Sequence, residues 1–258
     1  MVRAGLAPTR SRAQALILAG QVLVDDVPVD KAGARVDEGA RLRLRSAPRR
    51  YVSRGGEKLE GALADLGLDP TGRVCLDLGA STGGFTDCLL QHGARRVVAV
   101  DVGYGQLALT LRRDPRVRVL ERTNARSLAP EAIPEPIDLV TVDVSFISSR
   151  QLLPRLPQVA PRAELLVMVK PQFELERGQV GKGGVVRDDG LRAEAVARVR
   201  QAALSLGYRA RGEAESRLPG PKGNREVFLW LAPGGATVDV ARTAPAPEAD
   251  RDLNQGPE

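Results

Sequence analysis

One stretch limits what this chain can fold into more than any other. Val74-Cys-Leu-Asp-Leu78 is apolar enough to be a strand buried on both faces, and it runs directly into Gly79-Ala-Ser-Thr-Gly-Gly84. Glycines at such a junction reach backbone conformations closed to other residues and let a ligand approach the main chain. A buried strand that enters a helix through glycine is the opening unit of a parallel sheet with helices on its faces. The residues that follow repeat the rhythm. Apolar strands are expected at 97–101, 117–120, 137–143, 164–170 and 227–231, and helices at 85–92, 106–112, 150–156 and 191–206, with a helical pattern at 59–68 ahead of the first strand. This alternation predicts a doubly wound α/β sheet, whose ligands lie at the carboxyl ends of its strands.

The 258 residues suffice for one large domain and a small one. With 43% hydrophobic and 27% charged residues, a disordered, collagenous or coiled-coil chain is excluded. The apolar runs fall far short of the roughly 18 residues of a membrane span. Two cysteines and the lack of a signal-peptide apolar region point to a reducing cytoplasm. Charge is unevenly placed: residues 1–54 hold 11 basic and 5 acidic side chains, so the whole net charge of +6 resides there. That footprint suits a polyanion, nucleic acid first, although a solvated basic surface would read the same from charge alone. Within this basic segment a helix is expected at 11–19, opened by the capping pair Ser11 and Gln14 and closed by Gly20. Short strands around Asp25-Asp26 and at 41–45 follow, and Pro48 marks a linker. The expected division is a small module at 1–46, a linker at 47–54, a large domain at 55–232 and a disordered tail, rich in Ala, Pro and Gly, at 233–258.

The glycines are spaced G-x-x-x-G-G, unlike the G-x-G-x-x-G of dinucleotide binders, and Asp77 would set a negative charge against a pyrophosphate. An acid two residues before the first glycine suits a cationic amino group, as in the methionine moiety of S-adenosylmethionine. Asp101 ends the next strand 22 residues after Gly79, where an acid can accept hydrogen bonds from ribose hydroxyls. The candidate cofactor site is therefore Asp77, Gly79, Ala80, Ser81, Thr82, Gly83, Gly84, Phe85 and Asp101. Asp143, Lys170, Glu226 and Lys58 also fall beside apolar strands or a glycine pair, and each taken singly reads as a solvated charge. His92, the single histidine, reads as a helix cap, and Cys75 and Cys88 as small buried hydrophobes. No further Cys or His completes a metal site, so metal-free chemistry is expected. The glycine-rich loop at 178–184, with Lys182, reads either as a mobile loop alone or, in preference, as one that contacts RNA and orders on binding.

Taken together these motifs resemble the FtsJ-like ribose 2′-O-methyltransferases, and more closely the TlyA family, in which an S4 RNA-binding domain precedes such a methyltransferase; the family was historically called haemolysin A. The resemblance runs from residue 1 to about 232. It rests on Ser11-Arg-Ala-Gln-Ala-Leu-Ile17, Gly20-Gln-Val-Leu-Val24, Tyr51-Val-Ser-Arg-Gly-Gly-Glu-Lys58, the stretch from Leu76 to Phe85, Arg122-Thr-Asn124, Asp143-Val-Ser-Phe-Ile-Ser148, Val169-Lys-Pro-Gln-Phe-Glu174, Gly181-Lys-Gly-Gly-Val-Val-Arg-Asp188 and Gly220-Pro-Lys-Gly-Asn-Arg-Glu226. It implies a Rossmann-like methyltransferase sheet behind a small α+β S4 domain, with S-adenosylmethionine as cofactor and ribosomal RNA, at a cytidine within ribosomal subunits, as substrate.

The family's Lys-Asp-Lys-Glu catalytic set lands on Lys58, Asp143, Lys170 and Glu226, with Asn124 and Asp143 joining the cofactor site. Arg3, Arg10, Arg12, Arg54 and Lys182 would contact RNA. Lys170 would accept the proton of the ribose hydroxyl or orient it, Lys58 would be its cationic neighbour and touch phosphate, and the two acids would position the lysines. A ribose hydroxyl is a poor nucleophile and needs such alignment. Lysine accepts a proton near neutrality only where desolvation or a second cation lowers its pKa from about 10.4. The family's S4 domains usually open with a longer first helix, whereas this chain opens at Met1-Val-Arg-Ala-Gly-Leu6. Two other functions compete. A membrane-active haemolysin is opposed by an aromatic content of 3% and the missing apolar span, and an RNA binder without catalysis by the intact four-residue set.

Overall fold

Helix α1 (Arg10–Leu18) leads into a three-stranded antiparallel sheet in which β1 (Val22–Val24) lies between β2 (Val27–Val29) and β3 (Leu42–Leu44). In this computed structural model, residues 1–45, 50–133, 135–220 and 222–234 are described. Asp25 and Asp26 both have positive φ, +49° and +68°, the geometry a two-residue hairpin needs to match the twist of its strands. The helix cap differs from the sequence reading. Thr9, not Ser11, is the N-cap: its extended backbone directs Oγ1 to accept from the Arg12 N–H at 3.2 Å.

The larger unit opens with α2 (Arg54–Leu66), which begins inside the stretch expected as linker; of that linker, 47–49 lie outside the described residues, as does the expected tail from 235 on. Then follow β4 (Val74–Leu78), α3 (Gly84–Gln91), β5 (Arg96–Val100), the short α4 (Leu109–Arg112), β6 (Val117–Leu120), β7 (Leu139–Val142), the short α5 (Leu156–Val159), β8 (Glu164–Val169), the one-turn α6 (Pro171–Glu174), α7 (Asp189–Ser205), β9 (Tyr208–Glu215) and β10 (Val227–Pro233). They build one seven-stranded sheet in the order β6-β5-β4-β7-β8-β10-β9. The first five strands are parallel, and β10 runs antiparallel to both of its neighbours.

Strand alternation divides the core into two layers. Cys75, Val97, Leu139 and Phe228 pack with Leu59, Leu63 and Leu89 of α2 and α3, while Leu76, Val98, Val140 and Leu229 face the side that holds Val196 and Val199 of α7. The strand β9 is absent from the sequence reading. It is an edge strand in which only Tyr208 and Ala214 are buried, and pairing with β10 rather than an apolar period makes it a strand. Cys75 and Cys88 are free and buried, and burial pushes both thiols up to about 12. His92 closes α3, with Nδ1 2.9 Å from the Cys88 carbonyl. Among the described residues no helix is long and apolar enough to cross a membrane.

Two tests bear on this core. Phe228 is fully buried and stacks on Phe85 with ring centroids 6.0 Å apart. Phe228→Ala is expected to lower the unfolding free energy in urea by about 3–5 kcal/mol. Asp77, also fully buried, accepts hydrogen bonds from Thr86 Oγ1 at 2.7 Å and Thr141 Oγ1 at 3.0 Å, yet burial outweighs these and raises its pKa from 3.8 to about 6. A carboxyl with a raised folded pKa holds its proton more tightly when folded. Its stabilising contribution is full below about pH 4 and is lost as pH rises through about 6, by on the order of 3 kcal/mol. Asp77→Asn removes that loss, so its stability relative to the parent should rise between pH 4 and 7 in denaturant titrations; parallel pH profiles would contradict it.

Candidate active site

Two glycine pairs bring the first turns of α2 and α3 together. A Cβ on Gly84 would lie 2.1 Å from Ser53 Oγ and 2.9 Å from the Gly56 nitrogen, and one on Gly56 would fall 2.3 Å from the Tyr51 ring. Only glycine permits this approach, and it carries Lys58, one turn into α2, to the edge of the Gly79–Gly84 turn. Gly79 itself has φ +89°, and a Cβ there would sit 2.5 Å from the carbonyl oxygen of Asp143 at the end of β7. The glycine turn is thus seated directly on the strand that delivers an acid.

The parallel strands β7 and β8 end side by side and are followed by Asp143 and Lys170. Because β10 runs the other way, with Val227 opposite Val169, its beginning meets their ends and Glu226 arrives at the same edge. Lys58 Nζ and Glu226 form an ion pair that is 7% and 1% exposed. Gly220 leaves room for that carboxylate, since a Cβ there would be 2.7 Å from Glu226 Oε1. Lys170 Nζ lies 2.5 Å from Asp143 Oδ1, an ion pair poorly aligned for a hydrogen bond, and donates to Ser145 Oγ at 2.8 Å. All four charged residues line one cleft of about 340 Å³, together with Ser53, Arg54, Gly79, Ala80, Ser81, Thr82, Gly84, Phe85, Ser145 and Met168.

A second cavity, about 320 Å³, shares Gly79, Ser81, Asp143 and Ser145 with the first and extends past Asp101, Val102, Gln106, Asn124 and Phe146. Asp101 braces it, Oδ2 accepting from the Ser81 N–H at 2.8 Å and Oδ1 from the Gly103 N–H at 2.7 Å. Four N–H groups of the turn are taken: Gly79 and Ala80 donate to the Val100 carbonyl, Ser81 to Asp101, and Gly83 to the Ala80 carbonyl. A pyrophosphate would find few donors and two nearby carboxylates. The donor set fits a cationic ligand with a ribose better than a dinucleotide.

Most of the expected cofactor residues therefore border these connected cavities, with two exceptions. Asp77 points into the sheet, where its carboxylate is enclosed by Thr86 and Thr141, and borders neither cavity. Gly83, at φ +95°, makes room for Leu107 and Leu111, against which a Cβ would collide. Of the expected RNA contacts, Arg54 reaches the cleft and donates to the Pro219 carbonyl at 3.0 Å. Arg3 and Arg10 border a groove of the small module and Arg12 a different cleft. Lys182 is exposed on a loop tied down by buried Asn224, which accepts from the Val186 N–H and donates to the Gly184 carbonyl. Sequence reasoning missed Ser145, Met168 and Gln106; Ser145 lies within a quoted motif, but nothing in the pattern singles it out.

Residues 51–232 match the FtsJ-like methyltransferase family and residues 1–42 match the S4 domain. The chain is 50% identical over 261 residues to the 16S/23S rRNA (cytidine-2′-O)-methyltransferase TlyA of Mycobacterium tuberculosis, spanning 100% of this chain and 96% of that protein. It is 42% identical over 226 residues to Hemolysin A of Brachyspira hyodysenteriae, spanning 87% and 94% of the two. The solved structure of a candidate hemolysin from Streptococcus thermophilus superposes with a TM-score of 0.71 at 39% identity, covering 89% of this chain and 85% of that one. The matched segment 51–232 contains the large sheet except the last residue of β10 and the four converging charges, and the chain belongs to the FtsJ-like methyltransferase family, with an S4 domain at its front.

Proposed function

We propose that this chain methylates the ribose 2′-hydroxyl of ribosomal RNA, at a cytidine within the ribosomal subunit, with S-adenosylmethionine as methyl donor. One observation carries the reading: two amines and two carboxylates from α2, β7, β8 and β10 line a cleft that continues into a cavity bordered by Asp101 and Asn124. The nucleotide and its ribosomal setting come from the relative named as a 16S/23S rRNA (cytidine-2′-O)-methyltransferase. A ribosomal substrate would put the reaction in the cytoplasm.

In this reading Gly79, Ser81, Asp101 and Asn124 hold the cofactor, with Asp101 free to accept from ribose hydroxyls through its remaining lone pairs. The cofactor supplies an electrophilic methyl group on a sulfonium. As an ammonium, Lys170 donates one N–H to Ser145 and is paired in charge with Asp143. A remaining N–H would hold the ribose oxygen with a lone pair toward the methyl group, the hydroxyl proton leaving to solvent as the O–C bond forms and the methyl–sulfur bond breaks; a neutral Lys170 amine would instead take that proton itself. Lys58, fixed by Glu226, offers its other N–H groups to the adjoining phosphate, and Arg54 widens that cationic rim. Arg3, Arg10, Arg12 and Lys182 contribute attraction at longer range.

Lys170→Ala should reduce methyl transfer to unmodified ribosomal subunits by at least about 100-fold, followed with tritiated S-adenosylmethionine, while calorimetric binding of the cofactor persists. Undiminished transfer would refute the assignment. Gly79→Ala drives a Cβ into the Asp143 carbonyl at an unfavourable φ and should weaken cofactor binding about tenfold or more in the same calorimetry.

A further inference from the structure

Glu174 is a buried carboxylate that the proposed chemistry does not use. It ends α6, the single turn that starts directly after Lys170, and is 2% exposed. Its oxygens are fully occupied: Oε1 accepts from the Ser149 N–H at 2.7 Å and from Ser149 Oγ at 2.6 Å, while Oε2 accepts from Ser148 Oγ and from Arg150 Nε at 3.2 Å. A carboxylate removed from water to this extent is tolerated only when so satisfied. Every one of these donors belongs to residues 148–150, which close the loop that starts at Asp143.

That loop is held at both ends. At one end the Asp143 N–H donates to the Leu78 carbonyl at 2.9 Å in the sheet; at the other sits the Glu174 clamp. Between them Phe146 is kept at φ +70°, a conformation costly for a bulky residue, and its ring lies 5.7 Å from that of Phe173 on α6. Ser145, next to this strained position, receives the Lys170 N–H. The segment after Lys170 therefore grips the loop after Asp143, and the contact between Ser145 and Lys170 lies inside the closed circuit.

We propose that Glu174 is a positioning residue for methyl transfer, acting through the 144–147 loop to hold Ser145 against Lys170. The inference rests on the proposed function, and methyl transfer by the unaltered protein separates a failure of that reading from a failure of this one. Glu174→Gln keeps the shape and loses the charge and one acceptor. It should lower kcat roughly 10- to 100-fold, as misplacement of a reacting group does, with the KM for ribosomal subunits within about twofold of the parent and any rise in the cofactor Kd, whose cavity the same loop borders, smaller than the fall in kcat. Ser148→Ala with Ser149→Ala opens the same clamp from its other side and should act alike, which keeps the inference testable if Glu174→Gln folds poorly. Ser145→Ala should lower kcat, and joining it to Glu174→Gln should add little to the larger single loss. Full kcat in both clamp variants, losses that multiply in the double variant, or a defect that appears in cofactor affinity instead of kcat would each overturn it.

Discussion

Burial of the Lys58–Glu226 pair is the constraint on which the rest of the site depends. Taking an ammonium and a carboxylate out of water costs several kcal/mol per ion, and only close pairing offsets it. Two residues 168 positions apart must therefore meet, which obliges the start of α2 and the residue just before β10 to occupy the same corner of the sheet. Every close approach around that corner serves the meeting: Gly56 against Tyr51, Gly84 against Ser53, Gly220 against the Glu226 carboxylate. A hydrophobic pair would fill the corner at lower cost.

The reversal of β10 makes this possible. In a wholly parallel sheet, strand beginnings and strand ends lie on opposite edges, and a residue that precedes a strand could not face residues that follow two others. With Val227 opposite Val169, Glu226 joins Lys170 and Asp143 on one edge while the body of β10 still fills the core with Phe228, Leu229 and Leu231.

The sheet was legible in the sequence because buried parallel strands are continuous apolar runs, and Cys75 to Leu78 or Leu165 to Val169 can hardly be anything else. What escaped has physical reasons. An apolar run states neither its direction nor which face a polar member looks toward, so the reversal of β10 was invisible and Asp77, placed beside the ligand by its spacing, instead faces Thr86 and Thr141 within the sheet. The edge strand β9 carries four charged residues and a glycine in eight positions and owes its form to its partner. Ser145 and Glu174 leave no periodic trace, because a loop and a single turn of helix have no period; only their hydrogen bonds reveal them. Convergence of the four charges was readable only through the family resemblance, since no local pattern links positions so far apart.

Charge placement divides labour between the two parts of the chain. The cleft contains two lysine–carboxylate pairs with Arg54 at its rim, so its formal charge is only +1 and its long-range pull on a polyanion is weak. The surplus of positive charge lies instead in the first 54 residues, on side chains such as Arg3, Arg10 and Arg12 that are exposed and borders of different grooves. Under the proposed function, attraction that comes from this segment would draw in RNA of any sequence, and phosphate contacts of that kind position a substrate without selecting it. Selection would then fall to the cleft, where a ribose would have to fit between Lys170 and the adjoining cavity, and where a ligand held merely by charge would gain little. A strongly cationic cleft would bind any backbone it met and hold it out of line. Balancing each lysine with its own carboxylate keeps the amines in fixed directions, so that geometry rather than net attraction decides which hydroxyl is held in place.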